Sequence, residues 1–115
     1  MGAVRAAMLA ALASAALACG GGDDGAGLDA AAARGKTVYD NVCTACHNRD
    51  PREAGALGPG VAGASLELIE AKVLRGEYPP GYVPKLPSVA MPKYEYLVEG
   101  VGDVAAYLAT IPIAP

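Results

Sequence analysis

The chain has 115 residues, room for one domain. It contains six Tyr but no Trp and no Phe, so the core it can build from large apolar side chains is thin. Net charge is −3 with no Lys/Arg cluster, which argues against nucleic acid as a partner and favours a partner with a positive patch.

At the N-terminus Arg5 precedes an apolar run rich in Ala and Leu, Ala6 to Ala18. The run is too short to span a bilayer and has the form of an export signal, so residues 1–18 are expected to be removed. It ends in Ala16-Leu17-Ala18-Cys19, which resembles a bacterial lipobox in which Cys19 becomes the lipid-bearing first residue. The same residues also satisfy a small-x-small site for ordinary secretion. Lipidation is the favoured expectation, because Cys19 opens a Gly- and Asp-rich stretch, 19–27, suited to be a flexible tether. Either outcome exports the protein, to the periplasm or to the outer face of a membrane. In a Gram-negative cell the non-acidic Gly20 favours the outer membrane.

Residues 28–112 are expected to form the folded domain. Asp29 is a good N-cap, and a first helix is predicted from Ala30 to about Val42, with Ala31, Gly35, Val38, Tyr39 and Val42 near one face. Residues 48–64, rich in Gly, Pro and charge, read as loop. Ser65 caps a second predicted helix, Leu66 to about Arg75. Leu66, Ile69 and Val73 line one face, and Gly76 stops it. Pro79, Pro80, Pro84, Pro87 and Pro92 then exclude regular helix over 77–97. A third helix is predicted from roughly Glu99 to Ala109, with Val101, Val104, Ala105 and Leu108 on one face. Gly100 and Gly102 weaken its start by about 1 kcal/mol each. The expected fold class is all-α, with about three main helices.

The chemistry lies between the first helix and the first loop. Cys43-Thr44-Ala45-Cys46-His47 is the C-x-x-C-H pattern of covalent haem attachment. Two thiols three residues apart can add to the two vinyl groups on one edge of the macrocycle, and the adjacent imidazole then reaches the iron. A zinc site would need about four ligands, and the chain has one His and three Cys, one of them Cys19. A thioredoxin-like redox pair would expect a βαβ setting, which these flanks do not offer.

The sixth ligand follows by elimination. Once the signal is removed, Met91 is the remaining Met, and His47 is the sole His, so a bis-His site within this chain is excluded. Met91-Pro92 lies in the Pro-rich segment, far enough along the chain to come round to the iron. A thioether ligand would raise the reduction potential relative to imidazole. The alternative for Met91 is ordinary core filling.

With these residues in place the chain resembles the class I cytochromes c over about residues 28–112. Gly35 and Tyr39 resemble the small and aromatic positions of that family's first helix. Tyr107 and Leu108 resemble the end of its last. The resemblance implies that these helices cross, with the Gly allowing close approach to the aromatic ring. Gly58-Pro59 resembles the segment whose Pro carbonyl accepts a hydrogen bond from the proximal His, and Met91-Pro92 resembles the distal ligand loop. Tyr78, Tyr82, Tyr94 and Tyr96 are candidates to line the pocket or bond the haem propionates. Arg75 and Lys85 are candidates to pair with a propionate or to remain solvated surface charges. Asn48 to Leu57 has no counterpart that can be assigned.

The expected function is electron transfer by one covalent haem c with His47/Met91 ligation, between redox protein partners, from a membrane anchor at Cys19. Catalysis by side chains is not expected. A dedicated haem subunit of a larger oxidoreductase shares the same features. An open-site haem enzyme or gas sensor requires that Met91 not bind.

Overall fold

The structure is a computed structural model that describes residues 27–86 and 90–113. The expected signal, the tether from Cys19 to Ala26, and Pro87 lie outside the described residues. The described chain is all-α, with three helices and no strand among the described residues. No described helix is long and apolar enough to cross a membrane.

Helix α1 spans Ala30–Val42, the predicted bounds, because its start is a local signal: the Asp29 side chain accepts from the Ala32 N–H at 2.8 Å. A 3-10 turn, Cys43–Ala45, follows directly. Helix α2 spans Leu66–Ile69, capped by the Ser65 side chain, which accepts from the Leu68 N–H at 3.2 Å. Helix α3 spans Val101–Ala109. A second 3-10 turn, Glu95–Leu97, lies in the Pro-rich stretch, which is otherwise irregular.

Two boundaries differ from the expectation. The second helix is α-helical only to Ile69 and continues as a wider, π-type coil over Glu70–Arg75. At its end two carbonyls find partners beyond the coil: Val73 O accepts from the Tyr94 N–H at 2.7 Å, and Ala71 O accepts from the Glu77 N–H at 3.0 Å. Such widened turns are frequent at functional sites. Gly76, left-handed at φ 70°, closes the coil as expected. The third helix starts at Val101 rather than Glu99, because the Gly100 N–H donates back to Leu97 O at 2.8 Å and so belongs to the preceding turn.

The core lies where α1 meets α3. Ala32 and Tyr39 from α1 pack with Val101, Val104, Tyr107 and Leu108 from α3, and Ile69 and Val73 close the group. The Tyr39 and Tyr107 rings meet at 5.6 Å between centroids, tilted by 57°, a favourable aromatic pairing. Gly35 corrects the resemblance. A methyl group there would lie 1.8 Å from the carbonyl oxygen of Asp103, so this glycine admits the α3 backbone rather than an aromatic ring. Above it, Arg34 grips Asp103 with two hydrogen bonds, of 2.8 and 3.0 Å, and fixes the register of the two helices.

Candidate cofactor site

Below the α1–α3 pair the chain encloses an apolar cavity of about 730 Å³, within the range of about 300–1,000 Å³ usual for sites that hold a small molecule or cofactor. The second helix and both long loops wall it. Cys43, Cys46, His47, Pro59 and Met91, all singled out from the sequence, line it together. Cys19 lies outside the described residues.

Local geometry explains how the motif reaches the cavity. Helix α1 hands over to the 3-10 turn without a break, since the Cys43 N–H donates to Tyr39 O. Within the turn the N–H groups of Cys46 and His47 both donate to Cys43 O, at 3.2 and 2.9 Å. This tight coil brings both cysteines and His47 to the cavity lining. Both thiols are free and partly buried. Burial pushes the Cys43 thiol up to about 11, which holds it as a thiol at neutral pH.

His47 is fixed from two sides. Its Nδ1 lies 2.8 Å from Pro59 O. A carbonyl oxygen only accepts, so Nδ1 is the protonated nitrogen and Nε2 keeps its lone pair for a metal. Against the ring lies Gly58, where a methyl group would come within 2.5 Å of the imidazole. The loop that delivers Gly58 and Pro59 is tied to the motif itself. Cys46 O accepts from the N–H groups of both Leu57 (3.1 Å) and Gly58 (2.9 Å), and Gly55 passes so close that a methyl there would lie 2.3 Å from the same oxygen. Asn48 to Leu57, which could not be assigned from sequence, is therefore the strap that seats the His47 partner. The Asn48 carbonyl also accepts from the buried Tyr39 hydroxyl at 2.6 Å.

Met91 reaches the cavity wall from the Pro-rich stretch and is half-buried against the core. The stretch is anchored three residues on by the bond from the Tyr94 N–H to Val73 O. Of the candidate tyrosines, Tyr78, Tyr82 and Tyr94 line the cavity, whereas Tyr96 points out and is 71% exposed. Lys85 lines the cavity, and Arg75 instead faces Glu77 at 3.8 Å. Lys72, on the inner side of the widened coil, also lines it and was not anticipated. Nor were Gly55 and Gly58 as a cradle. The spacing Gly55-x-x-Gly58-Pro59-Gly60 was the signal for it.

The donor set suits an iron macrocycle. It offers one imidazole with a free Nε2, one thioether sulfur and two thiols, around an apolar space with no carboxylate among the described residues of its wall. Among the described residues no group of three or more His, Cys, Asp or Glu is placed to hold a bare metal ion. Such a small all-α shell around an apolar seat with haem-attachment residues defines a cofactor-binding helical protein. The family model for cytochrome c matches residues 32–112, and the chain belongs to that family. Membership carries a covalently bound haem c and haem-based electron transfer. No curated protein and no solved structure matches the chain significantly.

Proposed function

We propose that this is a class I, monohaem electron carrier in which Cys43 and Cys46 bear the thioether bonds and His47 and Met91 are the axial ligands. Two thiols, an imidazole with Nε2 free, and the chain's one methionine outside the expected signal all share the wall of a single cavity. That convergence is what carries the proposal. The haem supplies the one-electron chemistry, and the protein's part is to hold, orient and insulate it. Pro59 holds the proximal imidazole in one tautomer and one orientation, which raises its basicity. The apolar wall would keep water from a bound iron, and the Met91 thioether as its ligand would favour the ferrous state. With His47 and Met91 both holding it, a bound haem iron would change oxidation state with little rearrangement, as a carrier requires.

Export and a lipid at Cys19 would confine this carrier to the outer face of a membrane, or to the periplasm. The Gly-rich tether would let it reach redox protein partners nearby. The support for this part is the sequence of residues 1–27.

Absorption spectra of the matured protein in both oxidation states test the haem site. A low-spin reduced spectrum, a ferric band diagnostic of sulfur ligation and no rapid binding of carbon monoxide are expected. Met91→Ala should abolish the ferric band and admit carbon monoxide. An unchanged spectrum in that variant, or rapid carbon monoxide binding by the wild type, refutes the closed site and favours an open-site sensor or enzyme. Intact mass should show one haem and, if Cys19 is acylated, the lipid.

A further inference from the structure

The haem seat accounts for the apolar wall of the cavity but not for its charges. The chain has 12 Asp and Glu against 9 Lys and Arg. Yet among the described residues no Asp or Glu lines the cavity, and the lining cations are Lys72 and Lys85. Their partners also differ from those of most other described cations. Arg34, Lys36, Arg52, Arg75 and Lys93 each face a carboxylate. Lys72 Nζ instead sits over the Tyr78 ring, 4.1 Å from its centroid, and Lys85 Nζ donates to Gly60 O at 2.9 Å. One ring face and one carbonyl leave donors to spare on ammonium groups that each carry three.

Position matters as much as charge. Lys72 comes from the widened coil Glu70–Arg75, on the inside of the cavity. Lys85 comes from the Pro-rich stretch, and its bond to Gly60 reaches across to the loop that carries Pro59. Tyr78 and Tyr82, stacked at 5.3 Å with 11° between ring planes, also line the cavity, and the Tyr78 ring holds Lys72 from beneath its ammonium. An anion entering a low-dielectric cavity needs a counter-charge and charge-assisted hydrogen bonds. An acidic protein whose described residues place two cations and no carboxylate on such a wall is arranged to receive one.

We infer that Lys72 and Lys85 form an anion-receiving end of the cavity, and that the carboxylates they take are the propionates of the haem. This rests on the haem proposal above. It assigns a role to Lys72, which the sequence did not mark, and withdraws Arg75 and Tyr96 from the candidates for that role. Small carboxylates or phosphate from solution share the same chemistry, and the experiment separates the two sources.

The test uses matured holoprotein: wild type, the Lys72→Gln/Lys85→Gln double variant, and Arg49→Gln, which removes a cation that does not line the cavity. Midpoint potentials are measured by spectroelectrochemistry from about pH 5 to 9. A carboxylate that loses its neighbouring cation holds its proton to higher pH. The double variant should therefore gain a new segment in which the potential falls as pH rises, since the newly ionised carboxylate favours ferric iron. Arg49→Gln should run parallel to wild type, and Lys72→Arg/Lys85→Arg should restore the wild-type profile. A double variant that also runs parallel to wild type overturns the inference. So does a wild-type potential that moves on titration with acetate or phosphate when the double variant's does not, which identifies a free anion as the occupant. If the double variant does not mature, Lys72→Gln and Lys85→Gln are read singly, each with a smaller new segment expected and a parallel profile in both overturning the inference. Intact mass of the wild type is measured first: absence of haem there refutes the parent proposal and this inference with it, whereas haem present with parallel profiles refutes this inference alone.

Discussion

Replacing Gly35 with Ala sets two effects of opposite sign against each other. Helix propensity favours the substitution by about 1 kcal/mol in a helix interior. Packing opposes it. The added methyl would lie 1.8 Å from Asp103 O, 2.3 Å from its carbonyl carbon and 2.8 Å from Val104 N, whereas ordinary contact begins at 3.4 Å. All three atoms are backbone, so no side-chain rotation relieves the clash, and α1 and α3 must part by about 1.6 Å. A gap of only about 0.5–1 Å already forfeits a quarter to a half of a dispersion contact. The contacts at stake are those of Ala32 and Tyr39 with Val104, Tyr107 and Leu108. Overpacking of this kind costs about 1–3 kcal/mol, sometimes more, and a forced separation of two helices belongs at the upper end. The net loss is then about 2 kcal/mol. At about 4–8 °C per kcal/mol for a domain of this size, Tm should fall by roughly 8–16 °C. Thermal unfolding followed by far-UV circular dichroism reads this directly. Gly102→Ala is the matched control: a methyl there meets nothing within 4 Å, so propensity alone acts and Tm should rise. A Gly35→Ala protein as stable as wild type or more so would refute the close approach of the two helix backbones.

Gly58→Ala should press on the imidazole and loosen the bond from His47 Nδ1 to Pro59 O, because the methyl would come within 2.5 Å of the ring. Proton NMR of the matured protein should show the Nδ1 proton exchanging with solvent several-fold faster, and an unchanged rate would contradict this placement. Burial first, then the neighbouring Cys43, Tyr107 and acidic groups, raise the Tyr39 phenol above its ordinary range. A group raised on folding contributes stability below its unfolded value of about 10, which is lost as pH climbs toward the folded value. Tyr39→Phe should therefore cost about 1 kcal/mol at neutral pH through its lost bond to Asn48 O, and should flatten the alkaline limb of the stability profile. The same alkaline slope in both proteins would count against it. The hydrogen bond from Arg34 holds the Asp103 carboxyl below the usual carboxylate range. Its contribution is present above the unfolded value of about 3.9 and is lost as pH falls through the folded one. Denaturant titrations should thus show a shallower acid limb for Asp103→Asn, and the difference should shrink in high salt. A difference that grows with salt would rule out the ion pair as its source.

Helix ends were legible where a side chain makes the cap. Asp29, Ser65 and Gly76 act within a few residues of themselves, and each does in the structure what its type dictates. The widening after Ile69 was not legible, because Glu70–Arg75 keeps helical periodicity and carries no residue type that separates a π-type coil from an α one. The late start of α3 was half-visible: Gly100 and Gly102 marked a weak beginning, but the bond from Gly100 to Leu97 that sets it is main-chain and carries no residue signature. Gly35 was recognised as a close-approach position, yet the partner was the Asp103 carbonyl rather than a ring. At the site, chemistry-bearing residues were found by type and spacing, and they share one cavity. The strap from Asn48 to Leu57 escaped notice because its work is done by backbone groups. Lys72 escaped because a lysine on a helix reads as solvated surface until the coil's inner face is known.

The ties that strap makes have a practical consequence. Its ends are joined at Cys46 O, and a second tie runs from Pro51 O to the N–H groups of Val61 and Ala62 at 2.7 and 2.9 Å. The distance between His47 and Pro59 is thus set at the base of a hoop, not along its circumference. Glu53 and Ala54, at the far side, are exposed, and lengthening a loop there adds little closure entropy, about 0.6 kcal/mol per doubling. The apex at Glu53 and Ala54 is accordingly the place where a reporter peptide or an attachment point for an electrode could be spliced in, six and seven residues from His47 by sequence yet beyond the ties that set its distance from Pro59.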